Sequence, residues 1–393
     1  MRADEFILQT LAHFARGEEG PPPGVPARID ADFERDLVRF CEWHGLAPLV
    51  LASLKRLALE PALSEFGIQH LKTLAKRVST RNAMLLEAVD ELTVGFRREG
   101  VSFLLSDDVA SALSLYPSEG LRPIDQIDLL VRDWDWRGIV EACGGAGFAR
   151  SPTDPAFTSA GEALFYYQHF GPLIMKNPRG IRIRLRFRLF DLGAPEPSET
   201  AWSHTETIEA PSGARERIGL EDLLVRSCVQ LAMSRFERIL AAVDAGRILT
   251  QHGGKLDWEY IRTKSQPIYP AFYITSQKIA EWLNTPGVSA RFLPPGRTRG
   301  KIFRFMWRTR RFSRLARRRP HRHRLRFYVL ENVGLRERLD FLATLVTPRR
   351  EWVATFFGCP CRPWLRARYT YLAFKEKLEQ PSKQGKRIRY GRG

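Results

Sequence analysis

The sequence predicts an α+β fold, a small mixed β-sheet core flanked by N- and C-terminal helical segments. Three observations predict it. Apolar residues recur at helical spacing through the first hundred residues, short β-type runs break in between residues 101 and 189, and helical spacing returns from Leu220. A chain of 393 residues has room for two or three domains. The changes of texture divide it into an N-terminal helical region (1–100), an α/β core (101–215) and a C-terminal helical region (216–376) carrying an arginine-rich stretch at 297–327. A polar, basic tail (377–393) follows, with a composition that predicts disorder.

The first long helical pattern runs from Asp32 and places Phe33, Leu37, Phe40, Cys41 and His44 on one side, with Asp30 or Asp32 as its cap. A second, from about Gln69 to Arg98, carries Leu71, Leu74, Val78, Leu85, Val89 and Leu92, and Gly100 stops it. VSFLLS (Val101 to Ser106) reads as a short strand, DDVASALSLY as a helix beginning near Asp107 or Asp108, and QIDLLVR (Gln126 to Arg132) as a second strand. Trp134 to Gly147 suits a helix ended by glycines. ALFYYQHFGPLIM and GIRIRLRFRLFD then flank KNPRG, a hairpin turn signal. In the second of these runs Ile181, Ile183, Leu185, Phe187 and Leu189 alternate with Arg182, Arg184, Arg186 and Arg188, which predicts a strand with one buried and one basic face. EDLLVRSCVQLAMSRFERILAAVDAGRIL and LDWEYIRTKSQ are the clearest helices that follow, and Gly253–Gly254 reads as a helix stop.

Hydrophobic content of 44% and charged content of 27% suit a well-cored globular protein. The formal charge of +18 does not follow from folding needs; it implies an anionic partner, whether a nucleotide, nucleic acid, a membrane surface or an acidic protein. Five scattered cysteines do not make a disulfide framework, and Cys359-Pro-Cys361 lacks the second ligand pair of a zinc site. The N-terminal stretch MRADEFILQTLAHFARG carries acids near its start and no long apolar core, so no signal peptide is expected. The longest apolar run, LAPLVLASL (Leu46 to Leu54), is too short for a transmembrane segment. A cytoplasmic location is expected, with peripheral attachment to a membrane as the alternative. A P-loop, a GxGxxG fingerprint and a serine nucleophile elbow are all missing from the sequence.

LLSD (Leu104 to Asp107), LYP (Leu115 to Pro117), RPIDQIDLLV (Arg122 to Val131) and IRLRFRL (Ile183 to Leu189) follow one another in order. VDAGRIL and LDWEYI come downstream, and TPRREW and RYTYLAFK near the C-terminus. This ordered series, from about residue 30 to 376, resembles the bacterial nucleotidyltransferase family proteins of the polymerase-β superfamily. The resemblance implies a minimal nucleotidyltransferase core and transfer of a nucleoside monophosphate from an NTP, with two Mg²⁺ ions held by carboxylates. Two acids at i and i+2 on one strand share such ions because their side chains leave the same face.

On that pattern Asp128 falls at the second strand carboxylate, its i−2 partner is Gln126, the third carboxylate position holds Arg184 and the family histidine position holds Arg186. Ser106-Asp107 stands where the family has a Lys-Gly turn. A guanidinium near the metal position opposes a cation, since unit charges about 4 Å apart interact by about 4 kcal/mol even at moderate screening; Arg184 can instead pair with Asp128. Two readings stay open. In one the two-metal site is degenerate, no cofactor is needed, and Ser106, Asp107, Arg122, Gln126, Arg184 and Arg186 hold a nucleotide or another phosphorylated ligand through guanidinium–phosphate contacts. In the other the protein is an active Mg²⁺- and NTP-dependent enzyme, with Asp128 and Asp125 catalytic and Asp125, Asp107 or Asp108 completing the metal ligands. Asp125 lies three residues from Asp128 and reaches the same face only through a bulge.

A third reading rests on RTRGKIFRFMWRTRRFSRLARRRPHRHRLRF (Arg297 to Phe327), which holds 14 Arg or Lys and no acid. Written as a helix it separates Ile302, Phe305, Met306 and Phe312 from most of the arginines. Arg304, Arg308, Arg310, Arg311, Arg314, Arg317, Arg318 and Arg319 are candidates for binding an anionic partner, RNA among them.

Overall fold

The computed structural model describes residues 3–18, 29–132, 135–150, 172–189, 198–209, 213–234, 238–285 and 291–292. The arginine-rich stretch, the basic tail, Cys359, Cys361, the ALFYYQHF run and the closing helices expected after residue 330 lie outside the described residues.

Four helices form the N-terminal part: α1 (Ala3–Arg16), α2 (Ala31–His44), α3 (Ala47–Arg56) and α4 (Glu65–Arg98). Asp30 caps α2, its carboxylate accepting the Phe33 N–H at 2.8 Å. The single periodic run expected from Asp32 onward is two helices, because Gly45 adopts φ +68° at the end of α2 and Pro48 sits in the first turn of α3. Ser64 caps α4 by accepting the Gly67 N–H at 3.1 Å. The 34-residue α4 stops two residues before Gly100 at φ +67°.

The seven-stranded mixed sheet has the order β3-β4-β5-β2-β1-β7-β6. Its strands are β1 (Phe103–Ser106), β2 (Ile127–Val131), β3 (Ala149–Arg150), β4 (Leu173–Lys176), β5 (Arg182–Arg186), β6 (Thr205–Ile208) and β7 (Arg215–Ile218). β1 pairs antiparallel with β2 and parallel with β7; β2 pairs parallel with β5; β4 and β5 form the expected antiparallel hairpin. Between strands run α5 (Asp107–Leu115), α6 (Trp136–Gly145) and the short α7 (Ser198–Ser203). After the sheet come α8 (Leu220–Met233), α9 (Ile239–Arg247), a π-helical turn (Ile248–His252), α10 (Trp258–Ser265) and α11 (Tyr269–Leu283).

The helical parts before and after the sheet pack against each other. α1 packs on α3, α9 and α11, and Arg16 donates to the Leu283 carbonyl at 2.6 Å. Phe6, Phe96, Leu104, Ile183, Leu224 and Phe272, drawn from both ends and the sheet, belong to one hydrophobic cluster. Burying each such side chain contributes roughly 1.5–3 kcal/mol. Among the described residues no helix is long and apolar enough to cross a membrane. Cys41, Cys143 and Cys228 are buried free thiols, and burial raises the pKa of each.

Candidate functional site

Register builds the site. Ser106 on β1 faces Asp128 on β2, and Asp128 faces Arg184 on β5. Facing residues in a ladder point to the same side of the sheet, so one row across three central strands carries a hydroxyl, a carboxylate and a guanidinium. Arg186, two residues along β5, shares that side. All of β2 is buried, and Asp128 is 0% exposed.

At the end of β1 the chain turns directly into α5. Asp107 makes that turn with φ +49°, a left-handed conformation that Asp tolerates better than most residues. The turn puts the Asp107 carboxylate, 4% exposed as a residue, beside Asp128. α8 supplies the opposite wall. Arg226 and Gln230 stand one helical turn apart on the same face of α8, and both reach Asp107.

Arg226 grips Asp107 with Nε and Nη2, one donor to each carboxylate oxygen. Gln230 donates to Asp107 Oδ1 at 2.7 Å. Arg184 spans the two acids: its Nε pairs with Asp128 Oδ1, and its Nη2 donates to Asp107 Oδ2 at 3.3 Å. Arg186 Nε lies 3.5 Å from Asp128 Oδ1 and 3.7 Å from Asp107 Oδ2. Gln126 donates its amide to Asp128 Oδ2 at 3.2 Å. Ser106 Oγ is buried in the same row and has no hydrogen-bond partner among the described residues.

The electrostatics follow from these contacts. Burial raises the Asp107 pKa, but Arg226, Arg186 and Arg184 outweigh it and hold the carboxyl well below the usual range. Asp128 goes the other way. Its complete burial and the neighbouring Asp107 charge push it up against the pull of Arg184 and Arg186.

Arg122 and Asp108 belong to a second cluster, joined through Asp244. Arg122 donates Nε to both oxygens of Asp244, at 3.2 and 3.1 Å, and Nη2 to Asp244 and Asp108, each at 2.8 Å. Its Nη1 donates to the Pro123 carbonyl at 2.8 Å. Tyr116 donates its hydroxyl to Asp244 at 2.6 Å. Arg122 therefore ties α5 to α9 from a buried position. Asn82 on α4 pins the turn that carries it, donating to the Glu119 and Arg122 carbonyls at 2.6 and 2.8 Å and accepting from the Ile124 N–H at 3.0 Å. Asp108 also accepts the Asp125 N–H at 3.3 Å, while the Asp125 side chain is exposed. Asp107 and Asp128 are thus together, and Asp108 is held in the Arg122 cluster. Among the described residues no group of three or more His, Cys, Asp or Glu could hold a metal ion.

Arg226, Gln230 and Asp244 were not singled out from sequence. The signal was present as polar residues inside runs that are otherwise apolar save for Ser227, LLVRSCVQLAM and AAVDAG. Such a residue in a helix buried nearly all round needs a partner. Ser106, Asp107, Gln126, Asp128, Arg184 and Arg186 do converge, while Arg304 to Arg319 lie outside the described residues.

Residues 31–269, more than half of the chain, match the family model described as "uncharacterised nucleotidyltransferase". Neither a curated protein nor a solved structure matches the chain.

Proposed function

The chain belongs to the uncharacterised nucleotidyltransferase family, and from that premise we propose that it binds a nucleotide or another phosphorylated ligand, as an accessory or binding protein, through a site that has given up its two-metal centre. The observation that carries this reading is Arg184, whose guanidinium spans Asp128 and Asp107. Magnesium needs carboxylates free to meet a hard cation. Here the two central acids are committed to Arg184, Arg186 and Arg226, and the i−2 position presents the amide of Gln126, which donates to Asp128. The donor set does not suit divalent ions, and it does suit oxyanions, because guanidinium groups match phosphate oxygens in paired hydrogen bonds.

One observation favours the active-enzyme reading: two carboxylates already stand together, sharing Arg184. Equilibrium binding of ATP to the full chain separates the two readings. The proposal expects an affinity that EDTA leaves unchanged and that Arg184→Ala weakens. Binding or thermal stabilisation that requires Mg²⁺ and disappears in Asp128→Ala would reverse the assignment and point to NMP transfer.

A further inference from the structure

The geometry points to Asp107 as an internal competitor: its carboxylate occupies a receptor for a phosphoryl oxyanion formed by Arg184, Arg186, Arg226, Gln230 and the Ser106 hydroxyl, and a phosphate group binds by taking its place. The inference rests on the metal-free reading of the site and adds how that site is held closed.

Three features carry it. The first is the number of donors converging on one small group. Asp107 accepts two hydrogen bonds from Arg226, one from Gln230 at 2.7 Å and one from Arg184 at 3.3 Å, with Arg186 at 3.7 Å. A carboxylate has two oxygens to meet them, whereas a phosphate has three or more and a second negative charge. The second is Ser106 Oγ. It is next in the chain to Asp107, in register with Asp128, 1% exposed and without a partner among the described residues. Leaving a buried hydroxyl unpaired costs on the order of 1–3 kcal/mol, and a phosphate, which carries at least one more oxygen than the Asp107 carboxylate it replaces, can bring the acceptor that the carboxylate does not supply. The third is the backbone of Asp107. Its φ of +49° is uncommon for a non-glycine residue, so a return to the ordinary negative-φ range costs the backbone little and moves the carboxylate from its present place. The displaced acid and the entering anion exchange the same three guanidinium partners, so no arginine is left buried and unpaired.

The competitor lowers apparent affinity by the fraction of molecules in which it sits in the site. Asp107→Asn keeps the side-chain shape and tolerance of positive φ but removes the charge. The experiment is calorimetric titration of the full chain, wild type and Asp107→Asn, with inorganic pyrophosphate and in parallel with ATP, all in EDTA. ATP separates a nucleotide from a free diphosphate, and the substitution is expected to tighten both by about tenfold or more. Melting in phosphate and in chloride at equal ionic strength is the second measurement. The variant is expected to lose stability in chloride and to recover more in phosphate than wild type does. Equal pyrophosphate affinity in wild type and variant overturns the competitor while leaving metal-free binding intact. No oxyanion binding by either protein overturns both. A variant that stays unfolded in phosphate also overturns the competitor, since the anion then fails to replace the carboxylate.

Discussion

Replacing Arg226 by Met removes the guanidinium that meets Asp107 at both oxygens and leaves a buried carboxylate short of a counter-ion. Breaking a buried pair on one side costs about 3–5 kcal/mol. Urea unfolding of Arg226→Met should show a loss of that order, and adding Asp107→Leu to it should recover part of the loss; a strictly additive double variant would mean the two side chains do not act together. His44 offers a cleaner reading of pH. Burial lowers its pKa from 6.5 to about 4. The unfolded chain therefore takes up a proton that the folded chain refuses, and stability falls as pH drops from the unfolded value toward the folded one, levelling below it. Between about pH 7 and pH 5 the loss is about 2 kcal/mol, and His44→Phe should flatten that slope. Asp128 has the opposite sign, because its raised pKa makes protonation favour the fold; both proteins carry it, so the comparison cancels it. Asp128, Arg184 and Arg186 were singled out in the sequence by their places in the family pattern, and the alternation within β5 put the two arginines on one face. Arg226 was not: 119 residues separate it from Asp107, and only the packing of α8 over α5 brings the two together.

At the scale of elements, the start of α4 shows how one contact fixes the entry of a long helix. Glu34 on α2 accepts the Ser64 N–H and the Ser64 hydroxyl, each at 2.6 Å, and Ser64 in turn caps α4 through Gly67. A Cβ at Gly67 would collide with the Glu34 carboxylate. Glycine to alanine within a helix ordinarily stabilises by roughly 0.5–1 kcal/mol. Gly67→Ala is expected to destabilise instead, and a chemical-denaturation midpoint above that of wild type would show that the Glu34–Ser64 contact does not orient α4. Long helices and the β5 strand were legible because their period repeats over many residues. β3, β6 and β7 were not: β3 has two residues, and β6 (TETI) and β7 (RERI) each hold a single apolar residue, unlike the equally short but apolar β1 (FLLS). The break at Gly45 was overlooked for a related reason: apolar spacing continues on both sides of a residue whose φ alone ends the helix. The alternating arginines of β5 predicted a basic face, and the pattern could not show that acids from α5 and β2 would cover it.

At the scale of the whole molecule, the charge of +18 is spread unevenly, with 14 basic residues and no acid in 297–327. If that stretch contacts RNA backbone, each phosphate it neutralises releases counter-ions, and log affinity falls with log salt by roughly 0.7 per contact for a single strand. Substituting Arg308, Arg310, Arg311 and Arg314 together by Ala should weaken RNA binding and lower that slope in a salt titration; a slope unchanged by the substitution would assign any RNA binding to another surface. In the buried site Arg184, Arg186 and Arg226 meet Asp107 and Asp128. The most direct measurement of the central claim is a crystal structure of the full chain grown with Mg²⁺ and a non-hydrolysable ATP analogue. The account predicts phosphate oxygens bonded to the Arg184 and Arg226 guanidinium groups, with no cation between Asp107 and Asp128. Two ordered magnesium ions bridging those carboxylates to the triphosphate would contradict it.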